Sequence, residues 1–553
     1  IVFGLVGSEM CIRDSSYRGS EYWSIGKRCV SVVWDNEINE LKQRQKLSKN
    51  QGGKESVSKH HAKGRLTIRE RIDKLLDAKT FDEVGSGAGV PIYDAKDKLE
   101  DFQPANFVLG FGEIESRKVI VGGEDFTLKG GSPNPAGLRK SVYAEHLALQ
   151  YKIPLIRLHE GGGGAVGGTS QNKNHRPLGD PVFSISRFQP LAQTLGVIPV
   201  VTAALGPVAG LPASRLVASH FSIMTKNAAV LIAGPQVVKR ALGKELSKEE
   251  LGGPEVHLKS GVINNLAEDE EDAFYQIKRF LSFLPDNAWQ RPKRIISSDS
   301  PNRYADELSS IVPKSSRQPF QMRKVINHIV DLDRGETTFF EIGAKFGPSL
   351  ITGLARLDGH SIAVIANDCM HYAGSMTASA AQKLRRFIDF CNSFHLPVIS
   401  LIDEPGFMIG AESESEGTIR YGTEAISAVM QSRVPWASVQ IHKAFGVAAQ
   451  AHFGPQAYVL SWPSAKSGAL PVEGGVAVAF SREIAAADDP AKRQRELEEM
   501  LATSQSPFPK SEGFSVHELI DPKETRVKLV NWLNLAVNAQ TDTPEPFYFS
   551  MRP

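Results

Sequence analysis

Apolar positions in this 553-residue chain follow two alternating patterns, and the alternation occurs twice. Short apolar runs end in glycine-containing turns, and between them lie stretches whose apolar residues repeat at helical spacing. The clearest run is 153–168, IPLIRLHEGGGGAVGG, a buried strand entering a loop with six glycines. It has an echo 243 residues later at 396–406, LPVISLIDEPG, in which Pro154, Ile156 and Leu158 match Pro397, Ile399 and Leu401. A basic helical stretch precedes each copy, with Lys140 and Lys383 at the same offset. A second pair follows: 197–211 (VIPVVTAALGPVAGL) and 434–447 (VPWASVQIHKAFGV) both read as strands closing in a turn, with Gly210 opposite Gly446.

The helical stretches fill the gaps. In GRLTIRERIDKLLD (64–77), Thr67 and Glu70 form a capping box, and Ile68, Ile72, Leu75 and Leu76 share one face. Residues 138–151 predict a helix burying Leu138, Val142 and Leu149, and 380–394 one burying Ala380, Leu384, Phe387, Ile388 and Cys391. Residues 107–126 alternate apolar runs with turn residues, as a β-hairpin does. Residues 51–63 read as a polar linker and the acidic run 411–417 as a solvated loop. A strand, glycine turn and helix in repeated order predict an α/β fold with mainly parallel strands.

Length sets the domain count, since 553 residues exceed what one core supports. The Pro-, Ser- and Asn-rich stretch 285–317 marks the boundary, giving 34–290 and 291–553 as two domains. The opening residues 1–33 are set aside as non-native or disordered, because IVFGLVGSEMCIRDS resembles a translated adaptor scar. A net charge of +2 offers no general field for nucleic acid, and no apolar run is long enough to span a membrane. Cys11, Cys29, Cys369 and Cys391 lack metal-site spacing, so no metal is expected.

The chemistry therefore rests on the turns. Glycine admits positive φ and close approach of a ligand, so a glycine-rich loop can aim several N–H donors at one developing negative charge. Gly162, Gly164 and Gly167 also satisfy G-x-G-x-x-G, but no carboxylate closes a following strand and the polar residues 169–173 start a helix poorly. No G-x-S-x-G or H-E-x-x-H is present. Asp403 and Glu404, before Pro-Gly, read as caps or N–H acceptors more readily than as an acid/base pair.

GRLTIRERIDKLLD, EDFT…GGS, IAGPQVVK…EELGG…H…SGV, RRFIDFCNSFHLPVISLIDEPGFMIG and WPSA…SPFP occur in this order from residue 34 onward. Together they resemble the carboxyltransferase (β) subunit of biotin-dependent acyl-CoA carboxylases. The resemblance implies two tandem crotonase-like domains, a homo-hexamer, an acyl-CoA thioester on the N-terminal domain and biotin on the C-terminal domain of a neighbour. It further implies that carboxybiotin releases CO2, that the biotin anion takes the acyl α-proton, and that the enolate attacks CO2. A biotin-dependent acyl-CoA decarboxylase and a weakened scaffold subunit are the alternative readings, and the compartment implied is the cytoplasm, or the mitochondrial matrix in a eukaryote.

Carried over by motif, Gly162 and Gly163 hold the thioester oxygen, with Gly164 as the neighbouring register, while Gly446, Val447 and Ala448 hold the biotin ureido oxygen. Gly210 and Gln450 line the substrate side, Gln450 at a position that varies with acyl preference in the family. Both loops depart from the family pattern: Gly161–Ala165 replaces Ser-Gly-Gly-Ala-Arg, and Phe445–Ala449 replaces Tyr-Gly-Gly-Ala-Tyr. Val447 is β-branched and tolerates positive φ poorly, so it requires either ordinary dihedrals or an altered site. The chain's nine methionines form no Met-Lys-Met, the family's biotin attachment signal, so a separate biotin carboxylase/biotin carboxyl carrier subunit is the expected partner.

Overall fold

The computed structural model describes residues 34–162, 187–315, 318–540 and 542–553. In the first half the strands are β1 (Asp82–Glu83), β2 (Gly89–Tyr93), β3 (Leu99–Pro104), β4 (Phe107–Ile114), β5 (Arg117–Glu124), β6 (Leu155–Gly161), β7 (Val200–Ala209), β8 (Phe221–Thr225), β9 (Ala229–Leu231) and β10 (Asn265–Ala267). In the second they are β11 (Leu332–Asp333), β12 (Glu336–Thr337), β13 (Phe340–Glu341), β14 (Leu350–Leu357), β15 (His360–Asn367), β16 (Val398–Glu404), β17 (Trp436–Phe445), β18 (Tyr458–Ser461), β19 (Lys466–Gly468) and β20 (Glu518–Leu519).

Two eight-stranded sheets result, in the orders β1-β4-β5-β6-β7-β8-β10 and β13-β14-β15-β16-β17-β18-β20, with β9 and β19 each pairing off the path. This is the crotonase-like fold, present twice. In each sheet an antiparallel hairpin (β4/β5, β14/β15) leads into parallel strands crossed over by helices. The duplication holds residue by residue. From β4 to the end of β6, every strand has its counterpart at the offset of 243 first seen in the sequence. The parallel pairing slips at matching places, between His159 and Gly161 in one half and between Ile402 and Glu404 in the other.

The helix Ala378–Ser393 buries Ala380, Leu384, Phe387, Ile388 and Cys391, as its spacing predicts. Its counterpart Pro135–Tyr151 is turned relative to expectation: Leu138, Val142 and Leu149 are only half-buried, and Gly137, Ser141, Ala144, Glu145, Leu147 and Ala148 face inward. Small and charged residues there let the helix sit close to the sheet and carry an ion pair into it. Residues 51–63 are also not a plain linker, since Lys54–His61 is helical. A helix with so little apolar periodicity is held by tertiary contacts, and buried His60 reaches the Leu66 carbonyl at 3.1 Å. The acidic run 411–417 contains the short helix Ala411–Ser415, exposed apart from Ser413. The Thr67/Glu70 capping box forms as expected.

One apolar core spans both halves. Phe221 stacks on Phe280 at 4.7 Å between centroids, and Phe280 stacks in turn on Phe390 of the second half at 5.7 Å. Among the described residues no helix is long and apolar enough to cross a membrane.

Candidate functional site

In sheets of this kind ligands bind beyond the carboxyl ends of the parallel strands, and every site residue singled out from the sequence that can be described lies there. Gly162 follows β6 and Gly210 follows β7; because Gly161 pairs with Val208, the two turns emerge side by side. Gly446, Val447, Ala448 and Gln450 follow β17 in the second sheet and share one turn. Gly163 and Gly164 lie outside the described residues.

Gly210 and Gly446 repeat one device. Each ends a ten-residue strand with left-handed backbone, φ 66° and 65°, and each precedes a helical turn. A side chain at such a φ is strained, which explains glycine at both positions. The next residue resolves the question raised by β-branched Val447: its backbone is ordinary right-handed helix, φ −68° and ψ −34°, and its side chain is 64% exposed.

Donor availability refines the residue set. The Gly162 N–H donates to Gly130 O at 3.0 Å, and the Gly446 N–H donates to Gly468 O at 3.1 Å. Both glycine amides, expected from the sequence to face ligand, are thus engaged in holding their turns. Val447 and Ala448 open the 3-10 segment Ala448–His452, where first-turn amides have no carbonyl behind them, and no described backbone carbonyl accepts from either. In the first half the equivalent helix Leu211–Val217 carries Pro212 at the place of Ala448, so one donor is missing. Two adjacent open amides are therefore a property of the second turn.

That turn is anchored from below by residues no sequence pattern connected. His452, at its far end and fully buried, meets Ser400 Oγ through Nδ1 at 2.9 Å. Its carbonyl accepts from Trp436 Nε1 (3.0 Å) and Ser438 Oγ (2.8 Å), and its Nε2 lies 3.5 Å from Glu404 Oε2. Glu404 also accepts from the Gly406 N–H at 2.9 Å and from Asn367 Nδ2 at 3.0 Å. Ser400, His452 and Glu404 have the composition of a nucleophilic triad, but all three are fully buried, so the group works as a clamp. No local pattern marks it, because Ser400 within β16 and His452 in the turn after β17 lie 52 positions apart in the chain.

Asp403 and Glu404 are accordingly not helix caps. Asp403 Oδ1 accepts the Lys443 N–H at 3.1 Å and lies 3.3 Å from His442 Nδ1. Its counterpart Glu160 is held by Arg65 (2.9 Å) and Arg71 (2.7 Å). Burial alone would raise the Glu160 carboxyl, but the His60 hydrogen bond and the Arg71 charge outweigh it and hold the group below its usual value.

A model of the carboxyl transferase domain matches residues 59–548. The chain is 32% identical over 521 residues to the propionyl-CoA carboxylase carboxyltransferase subunit of Haloferax mediterranei, covering 93% of this chain and 98% of that one. It is also 32% identical over 529 residues to the methylmalonyl-CoA carboxyltransferase 12S subunit of Propionibacterium freudenreichii subsp. shermanii, covering 93% and 97%. A solved transcarboxylase 12S structure, described as a hexamer with methylmalonyl-CoA and methylmalonic acid bound, superimposes with a TM-score of 0.83 at 29% identity over 95% of this chain and 99% of that one. The chain belongs to the carboxyl transferase domain family. Within that family it is a carboxyltransferase of the biotin-dependent acyl-CoA carboxylase group.

Proposed function

We propose that this chain is the carboxyltransferase subunit of an acyl-CoA carboxylase, moving a carboxyl group between a biotin carried on a separate subunit and the α-carbon of an acyl-CoA thioester. The observation that carries the reading is the pair of open amides at Val447 and Ala448, presented at the end of β17 on a turn clamped by His452. Two preorganised N–H donors suit an oxygen that gains negative charge during reaction, and losing one such donor typically costs about 2.7–4 kcal/mol. Biotin bound there would supply the carboxyl group and accept the substrate proton. The Val447 and Ala448 amides would hold its ureido oxygen, and the clamp would keep their aim fixed as charge develops.

The thioester oxygen is assigned to the loop after β6, at Gly163 with Gly164 as the neighbouring register. Gly162 supports this assignment by fixing the loop's entry through Gly130. Gly210 forms the adjoining wall, and exposed Gln450, next to the second donor pair, is assigned to acyl-group selection. Domains 34–290 and 291–553 would carry the acyl-CoA and biotin sides, meeting across subunits of a homo-hexamer; the relative solved as a hexamer supports that assembly. The same residues serve decarboxylation in reverse.

The test is transfer of labelled carboxyl from a carboxylated biotin carrier to a panel of acyl-CoA thioesters by the purified chain. Label appearing in at least one thioester, and lost on Gly163→Val in an intact oligomer, is the expected result. No transfer to any thioester in either direction would leave only the scaffold reading.

A further inference from the structure

We infer that the seam between the two halves holds a binding site for a small oxyanion of the phosphate or carboxylate class. A cavity of about 50 Å³ opens there, with room for several water molecules at the ~10–15 Å³ each requires. His220 and Asn264 line it from the first half, and Gly343, Lys383 and Arg386 from the second.

Lys383 and Arg386 stand three residues apart on the helix Ala378–Ser393, so both reach the same space. Lys383 is 7% exposed, and its Nζ donates to Leu350 O at 2.6 Å. Arg386 Nη2 donates to Ser219 O at 2.8 Å. Both acceptors are neutral carbonyls, and among the described residues no carboxylate lies within ion-pair distance of either cation. An ammonium has three donors and a guanidinium five, so each keeps hydrogen-bonding capacity. Asn264 adds another donor: its Oδ1 accepts from Ser222 N and Oγ, while its Nδ2 has no acceptor among the described residues. Lys383 Cε and Asn264 Nδ2 lie 3.7 and 3.9 Å from where a Cβ on Gly343 would stand, so the missing side chain leaves the gap between them open. His220 adds no charge, since burial pushes it down to about 3 and Val200 N and Leu195 O occupy its ring nitrogens.

The first half supplies a control built into the fold. Lys140 is the counterpart of Lys383, but its Nζ lies 3.8 Å from Glu83, a carboxylate that Arg69 also holds, in a pocket further lined by Asp125. In the second half the equivalent carboxylates, Glu341 and Asp368, are both held by Arg323, and neither lies within ion-pair distance of Lys383. The lysine at the seam is thus left to face the cavity without an anion, and a buried cation in that position gains from one. A ligand there contacts both halves and stabilises their packing by mass action.

The experiment is calorimetric titration and thermal melting of the full chain at pH 6.5, below the value to which burial lowers Lys383, with inorganic phosphate, bicarbonate or acetate, against chloride at fixed ionic strength. One saturable site per chain is expected for at least one oxyanion; preference for phosphate or for the carboxylate-type anions identifies the ligand class. Lys383→Met and Arg386→Met should each weaken binding at least tenfold, and Lys140→Met should leave it unchanged. Asn264→Asp keeps the Oδ1 acceptor and places a carboxylate beside Lys383, so it should abolish anion binding without lowering the melting temperature in chloride. Absence of saturable binding for all three anions, or binding that survives in the Lys383→Met/Arg386→Met double variant, overturns the proposal.

Discussion

The two halves share a backbone from strand order to bulge position, yet their interiors differ in kind at the strand below the site. In the first half Glu145 pairs with Arg157 and Arg215 in a fully buried cluster, and Arg215 also reaches Ser141 at 2.9 Å. In place of Glu145, Arg157, Arg215 and Ser141 the second half has Ile388, Ser400, Ala451 and Leu384. The divergence extends to the turns, where the second half offers amides at Val447 and Ala448 and the first has Pro212. Backbone geometry is thus the shared part, and each copy carries its own set of buried polar groups.

The largest effect expected from breaking this contrast lies in the ionic cluster. Glu145→Ile copies the second half's residue but leaves Arg157 and Arg215 buried without their anion. Breaking a buried pair from one side costs about 3–5 kcal/mol, readable in denaturant unfolding. Burial already pushes Arg157 down to about 10, in line with a cation that depends on its partner. A loss below about 1 kcal/mol would show that the cluster is hydrated.

Next come the paired lysines. Burial pushes Lys383 down to about 7 and Lys140 to about 8, from an ordinary value of 10.5. Between the folded and unfolded values the unfolded chain binds more protons, so stability rises with pH across that window. Lys383→Met should remove a slope of up to about 1.4 kcal/mol per pH unit between pH 7 and 10.5, measured without oxyanions. For Lys140→Met the slope should begin about one unit higher. Parallel stability–pH curves for wild type and the Lys383 variant would contradict this.

A smaller effect is expected from loosening the clamp. His452→Ala removes the Ser400 contact under the open turn, and kcat should fall about tenfold with little change in KM for acyl-CoA. A rise in KM alone would place His452 in ground-state binding. The smallest effect belongs to Val447→Gly. With right-handed helical dihedrals and an exposed side chain, Val447 supplies only its amide, so stability should change by less than about 1 kcal/mol and turnover hardly at all.

Much of this layout was legible in the sequence, because strands and turns are written in local pattern: the repeat at 153–168 and 396–406, and Gly210 opposite Gly446. What escaped it depends on contacts between distant residues. Glu145, Arg157 and Arg215 sit on three elements, and nothing local marks them as partners. The engagement of the Gly162 and Gly446 amides depends on Gly130 and Gly468, so a motif could not tell which amides of each turn are already taken. The helix Lys54–His61 escaped because its residues lack apolar periodicity. The turn Tyr372–Gly374 left no trace either, since Tyr372 and Ala373 take φ values of 50° and 54° that their residue types rarely adopt.

The central claim, that the second half's open amides do the work the first half's turn cannot, is tested most directly by exchanging the residue that distinguishes them. Ala448→Pro removes one N–H as Pro212 does in the first half, Ala448→Ser retains it as a control, and Pro212→Ala restores the first half's missing donor. Carboxyl transfer between the biotin carrier and acyl-CoA is measured for each folded variant. Ala448→Pro should lower kcat about 100- to 1,000-fold, the usual cost of one oxyanion donor, while the other two variants stay near wild type. Wild-type turnover in Ala448→Pro, or an equal loss in Pro212→Ala, would contradict the account.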